Sequence, residues 1–271
     1  MIRFAVTVSL VPEARGGPFV FQEDLAEASR KAVALGFHAL EIFPRSAADL
    51  DPSRITETLA RHNLKVAAVG TGAGWLVRKW HLCHAEAEIR TQAKAFIKEI
   101  VDLAGRLDAP AIIGSMQGRS EGVVTREQAL EWLAEGLNEL AEHAARYERP
   151  LLYEPLNRYE TNLLNRSRDA ADFVSSLNTR NVRLLADLFH MNIEEASLAD
   201  GILQYGRWLG HVHFVDSNRR APGMGHIDFG PVVGALRKVD YSGFVSAEAL
   251  PLPDPMAAAR RTLETYARLF G

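Results

Sequence analysis

The chain has 271 residues, of which 47% are hydrophobic and 24% are charged, a composition typical of a folded domain with a filled core. Its formal net charge of −3 gives no broad attraction for phosphate backbones, which argues against a nucleic-acid partner. The N-terminus enters a strand-like apolar run without the pattern of a signal peptide, and no run reaches the length of a membrane span. With a single cysteine, Cys83, the chain is expected to be cytoplasmic, without an internal disulfide and without a membrane partner.

Short apolar runs alternate with longer amphipathic stretches along the whole chain, a pattern that predicts strands followed by helices. The predicted strands cover residues 2–9, 38–43, 64–70, 110–115, 151–154, 182–187, 209–214 and 244–248. The predicted helices cover residues 22–36, 53–63, 86–107, 126–148, 168–177, 195–206, 231–239 and 256–270. Asp51 marks a helix start, and Gly36 marks a helix end.

Strand–helix units that repeat eight times in about 250 residues predict an α/β fold of the (β/α)₈ TIM barrel class. No linker or low-complexity segment divides the sequence, so we expect one domain over residues 1–271. A doubly wound open sheet is the alternative that the same alternation allows. Active sites of barrels lie on the loops that follow the strands, so strand ends hold the candidates for function.

Acidic or imidazole side chains stand at the ends of the last four predicted strands, namely Glu154, Asp187, His213 and Glu248. Successive parallel strands of a barrel deliver such residues to the same end of the sheet. Three carboxylates and one imidazole can close around a divalent cation. The sequence therefore predicts a metal-dependent enzyme.

The seventh predicted strand carries two histidines, His211 and His213. We expect only one of them to point into the barrel, because side chains alternate along a strand. His213 is the better candidate, since it lies nearer the end of the strand.

The loops after these strands hold further candidates for substrate binding. One turn crowds together two carboxylates, two amides and an arginine, which favours a polyol-binding loop: Glu154, Asn157, Arg158, Glu160 and Asn162. His190 follows Asp187 by three residues and could bind metal, bind substrate or cap the next helix. Arg219 or Arg220 could hold a hydroxyl or carbonyl oxygen.

Three stretches and one glutamate of the second half resemble the ketose 3-epimerases, the D-tagatose and D-psicose 3-epimerase group of the xylose-isomerase-like barrels: EPLNRYE (154–160), DLFHMNIEE (187–195), HFVDSNRR (213–220) and Glu248. The resemblance implies a divalent metal, most often Mn²⁺, with Co²⁺ or Mg²⁺ as alternatives, held by Glu154, Asp187, His213 and Glu248. It also implies that Glu160, His190 and Arg219 orient a sugar near its carbonyl end. A homodimer or homotetramer is implied as well.

Inversion of carbon 3 of a ketose requires the loss of a proton next to the carbon 2 carbonyl, an enediolate, and the return of a proton on the opposite face. A cation stabilises the enediolate oxygens as a Lewis acid. Two carboxylates on opposite sides of the substrate can serve in turn as base and acid. We therefore expect Glu154 and Glu248 both to bind metal and to move the proton.

Other functions remain open at this point. An aldose–ketose or hydroxypyruvate-type isomerase would use the same metal and enediolate, and a sugar-binding barrel would use neither for catalysis. An apurinic endonuclease of the endonuclease IV type would need more histidines than the strand ends offer. The loop 70–86 could form a mobile lid in which Trp75 or Trp80 stacks on a sugar, or it could only pack on the barrel or on a second subunit. Arg78, Lys79 and Arg119 leave open whether the sugar is phosphorylated.

Overall fold

The computed structural model describes all 271 residues and contains a closed barrel in which the strands follow each other in chain order. The strands are β1 (Arg3–Ser9), β2 (Ala39–Phe43), β3 (Lys65–Gly70), β4 (Ala111–Ile113), β5 (Leu151–Tyr153), β6 (Val182–Asp187), β7 (Leu209–His213) and β8 (Phe244–Ala247). All neighbouring strands are parallel, and β1 pairs with both β2 and β8. The TIM barrel prediction is confirmed, and the open-sheet alternative is wrong.

Ten α-helices surround the strands, and eight of them match the predicted helices. The helices are α1 (Leu25–Leu35), α2 (Pro52–Ala60), α3 (Ala73–Arg78), α4 (Ala87–Arg106), α5 (Arg126–Ala145), α6 (Ser167–Ser176), α7 (Leu188–Glu194), α8 (Leu198–Tyr205), α9 (Phe229–Lys238) and α10 (Pro255–Phe270). The two short helices α3 and α7 were not predicted. Both lie at the ends of strands, on the face where the candidate ligands stand. No helix of the structure is long and apolar enough to cross a membrane.

Local side-chain chemistry sets the helix ends. The Asp51 carboxylate accepts a hydrogen bond from the Ser53 amide at the start of α2, as its sequence position predicts. Gly36 ends α1 in the left-handed conformation with φ of 106°, which a residue with a Cβ rarely adopts. These signals fix where each helix turns back toward the next strand.

The barrel interior contains both apolar clusters and buried polar side chains. Four apolar residues of β3 to β6 pack together, and four of β1, β2, β3 and β8 form a second cluster: Ala68, Ile112, Leu152 and Leu185, and Ala5, Ala39, Ala67 and Phe244. Buried polar side chains come from β1, β2 and β6 to β8, and they include Thr7, Glu41, Asp187, His211, His213 and Ser246. Buried polar groups need partners, so this polar part of the interior is where a ligand site is expected.

Candidate active site

The four residues predicted to bind metal lie together at the carboxyl ends of β5 to β8. One ligand atom from each of Glu154, Asp187, His213 and Glu248 can be chosen so that all lie within 4.8 Å of one another. The His213 Nδ1 atom is 3.2 Å from Asp187 Oδ2, 3.5 Å from Glu154 Oε1 and 3.8 Å from Glu248 Oε2. The imidazole is thus surrounded by the three carboxylates, a donor set that suits a divalent cation.

Glu154 fits into this cluster because a glycine, Gly114, follows the neighbouring strand β4. A Cβ atom at Gly114 would stand 2.5 Å from Glu154 Oε2, closer than real contacts allow. Gln117 donates hydrogen bonds to the carbonyl oxygens of Gly114 and Glu154, both at 2.9 Å, and holds the two strand ends together. Glu154 Oε1 is buried and has no hydrogen-bond partner. A buried carboxylate oxygen without a hydrogen-bond partner, close to other carboxylates, is the arrangement expected where a cation binds.

The substitution Gly114→Ala is expected to push the Glu154 carboxylate out of place and to weaken Mn²⁺ binding by at least about tenfold, the cost typical of a disturbed metal environment. Gly234→Ala in α9 is the matched control, because a Cβ there meets no atom within 4 Å. Isothermal titration of the metal-free protein measures both affinities. Equal affinity in the two variants would contradict this placement of Glu154.

Asp187 divides its two oxygens between a helix and the cluster. Its Oδ1 atom accepts hydrogen bonds from the backbone amides of Phe189 at 2.7 Å and His190 at 3.2 Å, and so caps α7. Its Oδ2 atom faces His213. Of the three roles left open for His190, capping of the next helix is wrong, because His190 lies within α7 and Ser197 caps α8 by accepting a hydrogen bond from the Asp200 amide.

The expectation that only one histidine of β7 points inward is wrong. Residues two apart on a strand share a face, so His211 and His213 both project into the barrel, and both are buried. The His213 Nε2 atom lies 2.9 Å from Glu41 Oε1, and the His211 Nε2 atom lies 2.7 Å from Glu41 Oε2. The choice of His213 for the cluster still agrees with the geometry, because His213, unlike His211, lies close to Glu154, Asp187 and Glu248.

The electrostatics of the cluster reflect crowded, buried carboxylates. Burial is the main cause that raises the pKa of Glu248 to about 7, and the charges of Glu154 and Asp187 add to it, while Arg219 and His213 oppose it. Burial works against the charged form of Asp187 too, but His190 and His213 outweigh it and hold the Asp187 pKa below its usual value. Burial likewise opposes the charge of His213, yet Glu41 and the other carboxylates raise its pKa well above the ordinary value. A cation would relieve this crowding.

His190 faces the cluster with one ring nitrogen. Its Nδ1 atom receives hydrogen bonds from the Asn157 side-chain amide at 2.7 Å and from the Asn157 backbone amide at 3.3 Å, which assigns the ring proton to Nε2. The Nε2 atom is buried without a partner, 3.8 Å from Glu154 Oε1. His190 is therefore set to donate a hydrogen bond to a group bound beside Glu154. Asn157, interpreted from sequence as part of a sugar-binding loop, positions this histidine.

Arg219 lies between Glu248 and Glu160 and contacts both carboxylates. It donates a hydrogen bond to Glu248 and lies 3.6 Å from Glu160 Oε1. Its guanidinium stands 5.0 Å above the centre of the Phe189 ring, which shields one face of the charge. The backbone of Arg219 is left-handed, with φ of 57°. All seven predicted site residues thus line one site or its rim.

The cluster opens into a cavity of about 250 Å³. The wall opposite the carboxylates is built mainly from the loops after β1 to β4 and includes Phe19, Phe43, Thr71, Trp75, Leu76 and Ser115. Sequence reasoning did not select Phe19 or Phe43, since isolated aromatic residues carry no signal of this kind. Arg78, Lys79 and Arg119 do not line the cavity.

The loop 70–86 packs on the barrel, as one of its interpretations predicts, and a mobile lid stays a prediction. Trp75 on α3 lines the cavity. The rest of the loop is packed down: the Leu82 amide donates to the Met116 carbonyl at 2.9 Å, and Cys83 Sγ contacts the Ala129 carbonyl at 3.1 Å. The loop is therefore anchored on α5 and on the β4 end.

The sequence and structure have known relatives. A model of the xylose isomerase-like TIM barrel family matches residues 29–266. D-psicose 3-epimerase of Agrobacterium fabrum is 29% identical over 87% of this chain and 79% of that protein. D-psicose 3-epimerase of Ruminiclostridium cellulolyticum is 31% identical over 80% of this chain and 75% of that protein. A solved D-allulose 3-epimerase from a Methylomonas species, in complex with D-allulose, has the same fold, with a TM-score of 0.85 and 23% identity over 99% of this chain and 97% of that one.

Proposed function

The chain belongs to the xylose isomerase-like TIM barrel family, and on this premise we propose that it is a metal-dependent epimerase that inverts carbon 3 of a ketose. The observation that carries the proposal is the placement of Glu154, Asp187, His213 and Glu248 around one point at the base of an open cavity. Relatives of known activity support the choice of reaction, since those at about 30% identity over most of the chain are ketose 3-epimerases.

The proposed metal is Mn²⁺, with Co²⁺ or Mg²⁺ as alternatives. Three carboxylates and one imidazole form a mostly hard donor set, which suits these ions better than it suits a soft metal that prefers thiolate ligands. When bound, the cation would stabilise the negative charge that develops on the substrate oxygens, an effect of several kcal/mol.

We propose that Glu154 and Glu248 transfer the proton. They follow β5 and β8, which are separated by two strands, and both line the cavity, so a sugar at its base meets one carboxylate on each side. One carboxylate removes the carbon 3 proton, and the other returns a proton to the opposite face. Each transfer of this type contributes about a hundredfold or more to the rate.

The carbonyl end of the sugar is assigned to His190, Glu160 and Arg219. The Nε2–H of His190 has no partner within the protein and is directed toward Glu154, so it can donate to a substrate oxygen. Arg219 offers further donors, and the Glu160 carboxylate can accept a hydroxyl proton. These contacts fix which carbon lies between the two catalytic carboxylates, which decides between epimerisation and isomerisation.

We propose an unphosphorylated sugar as the substrate. The only arginine or lysine that lines the cavity is Arg219, and its charge is already engaged by Glu248 and Glu160. Arg78 instead stacks on Trp80, and Lys79 lies over Trp75. A phosphate in this cavity would be desolvated without a free arginine or lysine to pair with, which is costly.

Incubation of the Mn²⁺-loaded protein with a panel of ketoses in deuterium oxide tests the reaction, with NMR of the sugar after removal of the metal. We expect deuterium at carbon 3 together with a new diastereomer. Deuterium at carbon 1 of the ketose and at carbon 2 of an aldose product would replace the proposal by an isomerase. No exchange across the panel would favour a sugar-binding barrel.

The endonuclease alternative finds no support in the site. It requires additional imidazoles at the ends of β3 and β4, where the cavity is lined by Gly70, Gly114 and Ser115.

A homodimer or homotetramer and a cytoplasmic location stay proposals. Light scattering coupled to gel filtration measures the oligomeric state.

A further inference from the structure

Glu41 is a buried carboxylate in the middle of β2 that lies beside the proposed metal centre and outside its ligand set. It is 5% exposed, and it is separated from its two partners by at least 170 positions in sequence. Each of its oxygens takes a different imidazole, with Oε1 at 2.9 Å from His213 and Oε2 at 2.7 Å from His211. An unpaired buried carboxylate is costly, so this double pairing has to be part of a defined arrangement.

The bond to Glu41 determines which nitrogen of His213 can meet a cation. An ionised carboxylate only accepts hydrogen bonds, so the Nε2 atom of His213 has to carry a proton. The other nitrogen, Nδ1, is the one that faces Asp187 at 3.2 Å and Glu154 at 3.5 Å. Once Nδ1 is free of its proton, its lone pair points at the centre of the cluster.

We propose that Glu41 is a positioning residue for the metal centre: it holds His213 in the tautomer and orientation that present Nδ1 to the cation, and His211 occupies its second oxygen. The proposal rests on the metal centre of the proposed function, and it does not depend on which sugar reaction follows. Partners of this kind that orient a metal-bound histidine commonly change metal affinity by about 10- to 100-fold.

A second metal site between Glu41, His211 and His213 is the competing interpretation, since their ligand atoms also lie within 4.8 Å of one another. In that group both Glu41 oxygens are already engaged by ring nitrogens at hydrogen-bonding distance. Around Nδ1 of His213, in contrast, Glu154 Oε1 has no partner at all. The unsatisfied acceptor lies on the Nδ1 side, so the cation belongs there.

Three variants separate these roles. Glu41→Gln leaves one acceptor oxygen for two imidazoles and removes the charge, and Glu41→Leu keeps a similar volume and removes both acceptors. His211→Gln is the matched control, because its side-chain amide can still donate to Glu41 while the Glu41–His213 bond stays intact. Circular dichroism and thermal melting of the metal-free proteins show which variants fold.

The first readout is Mn²⁺ affinity by isothermal titration. We expect both Glu41 variants to bind Mn²⁺ about 10- to 100-fold more weakly than the unsubstituted protein, and His211→Gln to lose less than about tenfold. A folded Glu41 variant with unchanged affinity overturns the proposal. If Glu41→Leu does not fold, Glu41→Gln decides the question alone.

The second readout is the histidine tautomer in protein labelled with ¹⁵N-histidine and loaded with diamagnetic Mg²⁺. We expect the proton of His213 on Nε2, and we expect this preference to weaken in Glu41→Gln. A proton on Nδ1 in the Mg²⁺-loaded protein overturns the proposal. Absence of any ketose exchange, with the Glu41 effect on Mn²⁺ affinity intact, defeats the proposed reaction and leaves the role of Glu41 standing.

Discussion

Glu248→Gln, at saturating Mn²⁺, is expected to lower the turnover of the ketose substrate by about a hundred- to ten-thousandfold, because the variant cannot accept or return the carbon 3 proton. Glu154→Gln should lose activity to a similar extent. The amide keeps the volume of the carboxylate, so the barrel should stay folded. Glu194→Gln is the matched control, since Glu194 has a buried side chain that pairs with Arg158 and does not line the cavity.

The two variants also distinguish a two-carboxylate reaction from a reaction with one base. If each carboxylate serves one face of the sugar, each variant should still exchange the carbon 3 proton of one diastereomer with deuterium oxide, and the preferred diastereomer should differ between the two variants. Near-full activity of Glu248→Gln would eliminate the assignment. If both variants lose exchange on the same diastereomer, only one of the two carboxylates acts as the base.

Mn²⁺ affinity is expected to rise steeply with pH, by as much as roughly tenfold per unit between pH 6 and 8, because one proton has to leave for each ion bound. Burial opposes the charged form of His213, but Glu41 and the other carboxylates outweigh it and raise the His213 pKa well above its ordinary value, so a cation that binds Nδ1 has to displace a proton from the ring. Glu248, with a pKa raised to about 7 mainly by burial, contributes a further fraction of a proton.

The same shifts determine how the stability of the metal-free protein depends on pH. A carboxyl group whose pKa is higher in the folded state, such as Glu248, stabilises the fold fully below its unfolded pKa and loses that contribution as pH rises through about 7. We therefore expect Mn²⁺ to raise the melting temperature more at pH 8 than at pH 6. Calorimetric titration in two buffers of different ionisation enthalpy counts the protons released. An affinity that is flat with pH would contradict the geometry around His213.

The barrel could be predicted from sequence because its signals are local and repeated. Each strand is a short apolar run and most helices are long and amphipathic, so the periodicity found all eight strands. The helix α7 was not predicted because it is short and because the residue before it, Asp187, was interpreted only as a metal ligand. The same residue is its cap. Because Asp187 is both a candidate metal ligand and a helix cap, its position in the sequence predicts either role and does not by itself reveal the helix.

The site was predictable where residues stand at strand ends and less so where they lie inside the barrel. Glu41 falls within the apolar run 38–43, and a charged residue in a buried strand is a signal that was available and not used. Its partners His211 and His213 are distant in sequence, so nothing local links the three. The pairing of Asn157 with His190 depends likewise on the closed barrel, which brings the loops after β5 and β6 together.

The divided carboxylate of Asp187 links two functions that would otherwise be separable. One oxygen holds the first turn of α7, which carries His190, and the other faces the proposed cation. A change in the position of this one carboxylate is therefore expected to move His190, the residue proposed to contact the sugar. Protection of the Phe189 and His190 amides from hydrogen exchange would then report whether the cation is in place. Through this shared group, binding of the proposed cation and the position of His190 are expected to be coupled.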